Sequence, residues 1–385
     1  MDRRTFLQLA SLIPVSTFPF PAMSAKASDR ILVLVELQGG NDALNTLIPY
    51  ANDAYHAARP TLAVPTHKVL TVDSDFGFHP ALSPLMPLWD QGELAWVHGV
   101  GYPEQNRSHF RSIDIWESAS SSKVHKRSGW VADILQRLER LQAISIGDDL
   151  GPFNGSQLRS IVLRDLKTFL KQARNDAPLR QPTSNPALAH IFDVQAKINR
   201  GAQEIKQRLT HKGGLTTGFP QTPFGQDMEL VARLINSGIS ARAYKVGLGS
   251  FDTHSHQAKR HQRLLAQLAE SIAAFEMAMR KAGRWQDILL LTYSEFGRRV
   301  KENGNGGTDH GAAAAHLLAG GAVRGGLHGK PPSLTDLYRG DLKFTTDFRQ
   351  LYASVANHWW GVDAELLKGF EPLPLLTKAS KVIAG

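Results

Sequence analysis

Two stretches of this chain carry almost nothing but apolar side chains: RILVLVEL at 30–37 and ILLL at 288–291. A strand with one wet face alternates apolar and polar residues; an unbroken apolar run is buried on both faces. Such strands demand a sheet covered by helices on either side. Further strand-like segments are ELAWVHGVG (93–101), LQAISIG (141–147), ARAYKVGLGSFDTH (241–254) and AHLLAGG (315–321). Helical periodicity separates them. It places Phe110, Ile113 and Trp116 on one face of a helix within 106–119, and covers 188–209 and 227–236. It is clearest over 257–281, where Leu264, Leu265, Leu268, Ile272, Phe275 and Met279 form one stripe. Residues 81–90 read as a short helix limited by Pro84 and Pro87, and 345–360 as a closing helix with Thr345 or Thr346 as its N-cap. The alternation predicts an α/β fold with a mostly parallel central sheet and helices on both faces.

The chain has 385 residues, enough for one large α/β domain, with 42% hydrophobic and 21% charged residues. Residues 1–27 read as an export leader. Arg3-Arg4 precede a moderately apolar stretch, and Ala25-Lys26-Ala27 fits a small-x-small cleavage site. The expectation is export by the twin-arginine machinery to the periplasm or beyond, with no transmembrane anchor, and one domain over 28–385. Between 150 and 222 prolines, glycines and polar residues dominate, which suggests a helical cap or insertion. With no cysteine, disulfides, thiolate metal sites and a cysteine nucleophile are excluded. A net charge of +9 is mildly basic, and no basic run with interleaved aromatics points to nucleic acid. Dinucleotide-binding glycine fingerprints, a phosphate-binding P-loop, a HExxH helix and a GxSxG elbow are all missing from the sequence.

What remains is polar chemistry where core strands should end. Ligands bind at the carboxyl ends of strands in such sheets. After the first strand come Gly39-Gly40-Asn41-Asp42. After the second come Asn106, Arg107, Ser108 and His109, at a helix start suited to an anion. FDTHSHQ supplies Asp252, His254 and His256; TYSEFGR supplies Ser294, Glu295 and Arg298, with Gly297 a position of close approach; NGNGGTDHG supplies Asp309 and His310. Each cluster alone is ordinary turn or capping chemistry. Together they offer nitrogen and oxygen ligands suited to zinc or manganese, as one or two ions. Arg107 and Arg298 are candidates for holding an anion's oxygens, although Arg298 serves equally well as a structural ion pair.

LVELQGGNDALNTLIPY, NRSHFRSIDIWE, FDTHSHQ, TYSEFGR and GTDHG, in this order behind the twin-arginine start, resemble the bacterial domain-of-unknown-function family 1501. That family resembles a distant branch of the alkaline phosphatase, sulfatase and phosphoglycerate mutase superfamily. The resemblance implies a metal-dependent ester-cleaving site. It implies Asp42 as a metal ligand, Ser108 as nucleophile, Asp252 with His254 or His256 as ligands, Glu295 where the superfamily has an Asp-His pair, and His310 as a late ligand. Ser294-Glu295 replaces that pair and removes one nitrogen. The sequence after Ser108 departs from a typical sulfatase, and no cysteine is available for conversion to formylglycine. Two functions follow as expectations. One is an exported hydrolase of small anionic esters. The other is a non-enzymatic envelope protein that binds a protein or polymer and keeps a structural metal.

Overall fold

In the computed structural model, residues 30–135, 142–156, 158–164, 218–239 and 241–377 are described, with 185, 188, 203 and 205–208 between them. The expected leader at 1–27 lies outside them, as does nearly all of the expected helix at 188–209.

A nine-stranded sheet forms the centre. Its strands are β1 (Ile31–Leu37), β2 (Leu94–Gly101), β3 (Ala143–Ile146), β4 (Ser160–Leu163), β5 (Ala243–Leu248), β6 (Ile288–Tyr293), β7 (Ala314–Ala319), β8 (Gly326–His328) and β9 (Thr346–Asp347). Their order is β8-β2-β7-β6-β1-β5-β3-β4, and β9 adds to the end of β2. Every neighbouring pair is parallel except those made by β7, which runs against both β6 and β2. The sheet is thus mostly parallel, as expected. Within the stretch expected as a cap, β4 is its edge strand.

β1 shows why its sequence does not alternate. Ile31, Val33, Val35 and Leu37 enter one hydrophobic cluster, while Leu32 and Leu34 enter another on the opposite face. Each buried aliphatic side chain contributes roughly 1.5–3 kcal/mol. The first face is covered by α3 (Pro223–Asn236) and α4 (Gln257–Lys281). The second is covered by α1 (His109–Ser118), α2 (Trp130–Ile134) and α5 (Phe348–Ala353), with Trp116, Trp130 and Tyr352 at its centre.

Two local expectations are corrected. Asp347, not Thr345 or Thr346, caps α5, accepting from the backbone of Arg349, and Gln350 completes a capping box. Phe110 does not join Trp116 in the core. It is 87% exposed, because α1 turns Ile115 and Trp116 inward instead. The strand expected at 315–321 is present as β7, and it runs antiparallel to both neighbours. Parallel entry needs a crossover connection, but the loop from β6 to β7 folds back on itself: Gly297 and Arg299 donate to the Ala312 and Asp309 carbonyls at 2.9 and 3.0 Å. A Cβ at Gly297 would collide with the Ala313 carbonyl, so that close approach needs glycine.

Candidate metal centre

The exits of β1, β2, β5 and β6 share the carboxyl edge of the sheet, and Arg298 ties three of them together. It is buried. Its Nε donates to the Gly40 carbonyl at 2.7 Å and its Nη1 to Thr308 at 2.8 Å. Its Nη2 reaches the Gly39 carbonyl, the Phe251 carbonyl at 3.0 Å and Asp252 Oδ1 at 2.7 Å. Gly39 makes this approach possible. Its φ is +112°, and a Cβ there would meet the Asp252 backbone nitrogen.

Asp252 therefore stands at a fixed point. Burial opposes its ionisation, but the hydrogen bond from Arg298 and the contact with His310 hold its carboxyl down to about 2. Around it stand three histidines. His254 Nε2 lies 2.9 Å from Asp252 Oδ1, and His310 Nε2 lies 3.1 Å from the same oxygen. The two Nε2 atoms are 3.0 Å apart. His109 Nε2 is 3.7 Å from Asp252 Oδ2. Ligand atoms of His109, Asp252 and His310 all fall within 4.8 Å of one another. The rings form a box: His109 and His310 meet edge to face at 4.5 Å, and Phe296 packs 4.4 Å from His310 and 4.9 Å from His109.

The far side of each ring is also engaged. His109 Nδ1 lies 2.8 Å from Glu295 Oε1, an oxygen that also accepts from the Gly39 backbone at 2.8 Å. His310 Nδ1 lies 2.9 Å from the Arg107 carbonyl. His254 Nδ1 faces Asp309 Oδ1 at 3.6 Å. Glu295 is itself pinned by α1, since its backbone carbonyl accepts from Ser112 Oγ and from Trp116 Nε1 at 3.1 Å.

The other residues singled out in the sequence are placed as follows. Asp42 is buried in a two-point pair with Arg59, at 2.6 and 2.9 Å, and also accepts from Gln257. Burial works to raise its carboxyl, but Arg59 outweighs this and holds it below the ordinary range. Asp42 thus belongs to a buried polar group with Arg59 and Gln257, and beside it in sequence Asn41 Oδ1 lies 2.8 Å from His261 Nε2. His256 is exposed in a left-handed conformation (φ 49°) at the start of α4. Arg107 pairs with Asp341. Ser108 is exposed at the N-cap of α1, and its side chain makes no cap hydrogen bond. Ser294 Oγ donates to the Leu37 carbonyl at 2.6 Å and accepts from Asn41, linking β6 to β1.

His109 is a ligand candidate that the sequence motifs do not single out, since in the sequence it stands only within the polar exit after β2. The available signal was its position on the first turn of a helix, beside Ser108 and opposite TYSEFGR.

Fold and cluster together define a class: an α/β protein with a histidine-carboxylate centre of metal-ligand spacing at the carboxyl edge of its sheet. The family described as a protein of unknown function (DUF1501) matches residues 29–370. The chain belongs to that family, as its motifs implied. Among solved structures, it is similar to an alkaline phosphatase superfamily protein from Vibrio parahaemolyticus. Identity there is 13%, coverage 95% of this chain and 76% of the other, and the TM-score 0.41. It is similar to a phosphonate monoester hydrolase from Silicibacter pomeroyi, with 12% identity, coverage of 92% and 78%, and TM-score 0.38. It is also similar to a sulfatase from a Pseudoalteromonas species, with 9% identity, coverage of 91% and 72%, and TM-score 0.38. Likeness this distant transfers no residue's role. No curated protein matches the chain.

Proposed function

We propose that this protein is an exported, metal-dependent hydrolase of phosphate or related anionic esters, with Ser108 as nucleophile. The observation that carries the reading is the convergence of His109, Asp252 and His310 within 4.8 Å at the sheet edge. Imidazole nitrogen and carboxylate oxygen suit zinc or manganese. These three residues would hold the ion, with His254 beside them. A bound ion supplies positive charge that stabilises an anionic ester and favours an ionised nucleophile.

The chain's own groups do the rest. Ser108 offers an exposed hydroxyl one residue before His109. The first turn of α1 carries no acidic side chain, so its free N–H groups and dipole favour an anion there. Arg298 acts by holding Asp252, and Arg107 through the carbonyl that meets His310. The substrate is a small anionic ester or an envelope polymer. Arg3-Arg4 and the leader pattern support twin-arginine export to the periplasm. Among the described residues no helix is long and apolar enough to cross a membrane.

The test is a panel of aryl phosphates, phosphodiesters and sulfates with zinc or manganese supplied. Ser108→Ala should abolish turnover and leave metal content intact; unchanged turnover rejects Ser108. One observation favours a second reading. Arg298 is buried and fully engaged within the protein, and Arg107, 36% exposed, is paired with Asp341. An envelope protein that binds a partner and keeps a structural ion would show metal but no turnover across the panel.

A further inference from the structure

Resting on the metal reading above, we propose that Glu295 is a positioning carboxylate rather than a ligand. With the Arg107 carbonyl it fixes the histidine tautomers, so that Nε2 of His109, His254 and His310 and Oδ1 of Asp252 surround a single zinc-class ion.

An ionised carboxylate and a backbone carbonyl only accept hydrogen bonds. Glu295 Oε1, 2.8 Å from His109 Nδ1, therefore requires the proton on Nδ1. The Arg107 carbonyl, 2.9 Å from His310 Nδ1, requires the same there. Neutral His109 and His310 are then left with bare Nε2 lone pairs, both turned inward. Asp309 faces His254 Nδ1 and favours the same tautomer.

The inner atoms are then electron-rich and close. Asp252 Oδ1, His254 Nε2 and His310 Nε2 form a triangle with edges of 2.9, 3.1 and 3.0 Å. A proton on His254 Nε2 bridges to only one of its two neighbours, whereas a cation among the three satisfies all of them. Ligand atoms bound at about 2.0–2.1 Å around a tetrahedral ion stand roughly 3.3 Å apart, close to these edges. Calcium, with bonds of about 2.3–2.6 Å and six to eight oxygens, fits neither the spacing nor the nitrogen content. His109 closes the group from the α1 side, 3.7 Å from Asp252 Oδ2. Its ring is aimed by Glu295, which α1 itself anchors through Ser112 and Trp116. Outer carboxylates of this kind raise ligand basicity and fix ring orientation.

The experiment is a zinc titration of the purified chain against a competing chelator, with cobalt(II) absorption as a second readout and far-UV circular dichroism to confirm folding. Glu295→Ala should weaken zinc about 10–100-fold. Glu295→Gln, whose amide oxygen still accepts from Nδ1, should recover part of that loss. In a His109→Ala background, Glu295→Ala should cost nothing more, because its effect runs through the missing ring. His254→Ala should weaken zinc and change the cobalt(II) spectrum. Unaltered affinity in Glu295→Ala overturns the proposal, as does an undiminished loss in the His109→Ala background or a parent chain that binds no ion. A parent that binds one ion as described yet hydrolyses no ester sinks the hydrolase reading and leaves this inference standing.

Discussion

Arg298 shows how one side chain assembles the site. Four backbone carbonyls and the Asp252 carboxylate converge on its guanidinium. Replacement by Met would leave the carbonyls without their donor, while the 45% exposed Asp252 carboxylate can turn to water, and would cost about 2–3 kcal/mol. Lys would recover only part of this, since a compact ammonium cannot span a fork of acceptors. Urea denaturation of both variants checks this, and a loss below about 1 kcal/mol for Arg298→Met would contradict it. The sequence placed Arg298 at a strand exit but left anion clamp and structural pair equally open. Burial decides between them, and burial depends on Gly39, Phe251 and Thr308, which are far apart in the chain. The same limit hid His109. Its position on α1 was readable, but the direction of its ring depends on Glu295.

At the scale of elements, β5 and α1 are joined through a buried charge cluster. Lys245 Nζ on β5 lies 2.7 Å from Asp149, 3.0 Å from Glu117 on α1 and 3.1 Å from Glu36 on β1. The Glu36 contact is an ion pair without hydrogen-bond geometry, since Glu36 Oε2 has no hydrogen-bond partner. Burial pushes the Glu117 carboxyl up to about 7, although Lys245 opposes the shift. A raised carboxyl pKa means the folded state binds a proton that the unfolded state releases. Stability from this group is full below the unfolded pKa of 4.5 and is lost as pH rises toward 7. Relative to Glu117→Gln, the parent should lose roughly 3 kcal/mol between those limits. Thermal unfolding of both proteins across that range checks it, and parallel curves would contradict it. The elements themselves were largely readable. β1 and β6 announced themselves by unbroken apolar runs, and the α4 stripe matched its observed span, because both patterns follow local periodicity. The direction of β7 was not readable, because it is set by the contact between the Arg298 and His310 arms of one loop.

At the scale of the whole molecule, the parallel sheet gathers its exits at one edge, and this much followed from the alternation of strands and helices. Whether those exits form one site or several turns was not written in the spacing of FDTHSHQ or GTDHG. In the fold, Asp252 and His310 reach the centre, while Asp42 pairs with Arg59 and His256 points to solvent. An ion bound there and not by the unfolded chain would add about 2.7 kcal/mol of stability at a free concentration one hundred times its Kd. Chelation should therefore lower the unfolding temperature of the parent and leave Asp252→Ala unmoved. The most direct test of the central claim is elemental analysis of the purified chain beside Asp252→Ala, His310→Ala and His109→Ala. The expected result is one zinc or manganese per chain in the parent, lost in the folded Asp252 and His310 variants and weakened in the His109 variant. A parent without metal after growth with excess zinc and manganese, or variants that retain it in full, would contradict the account.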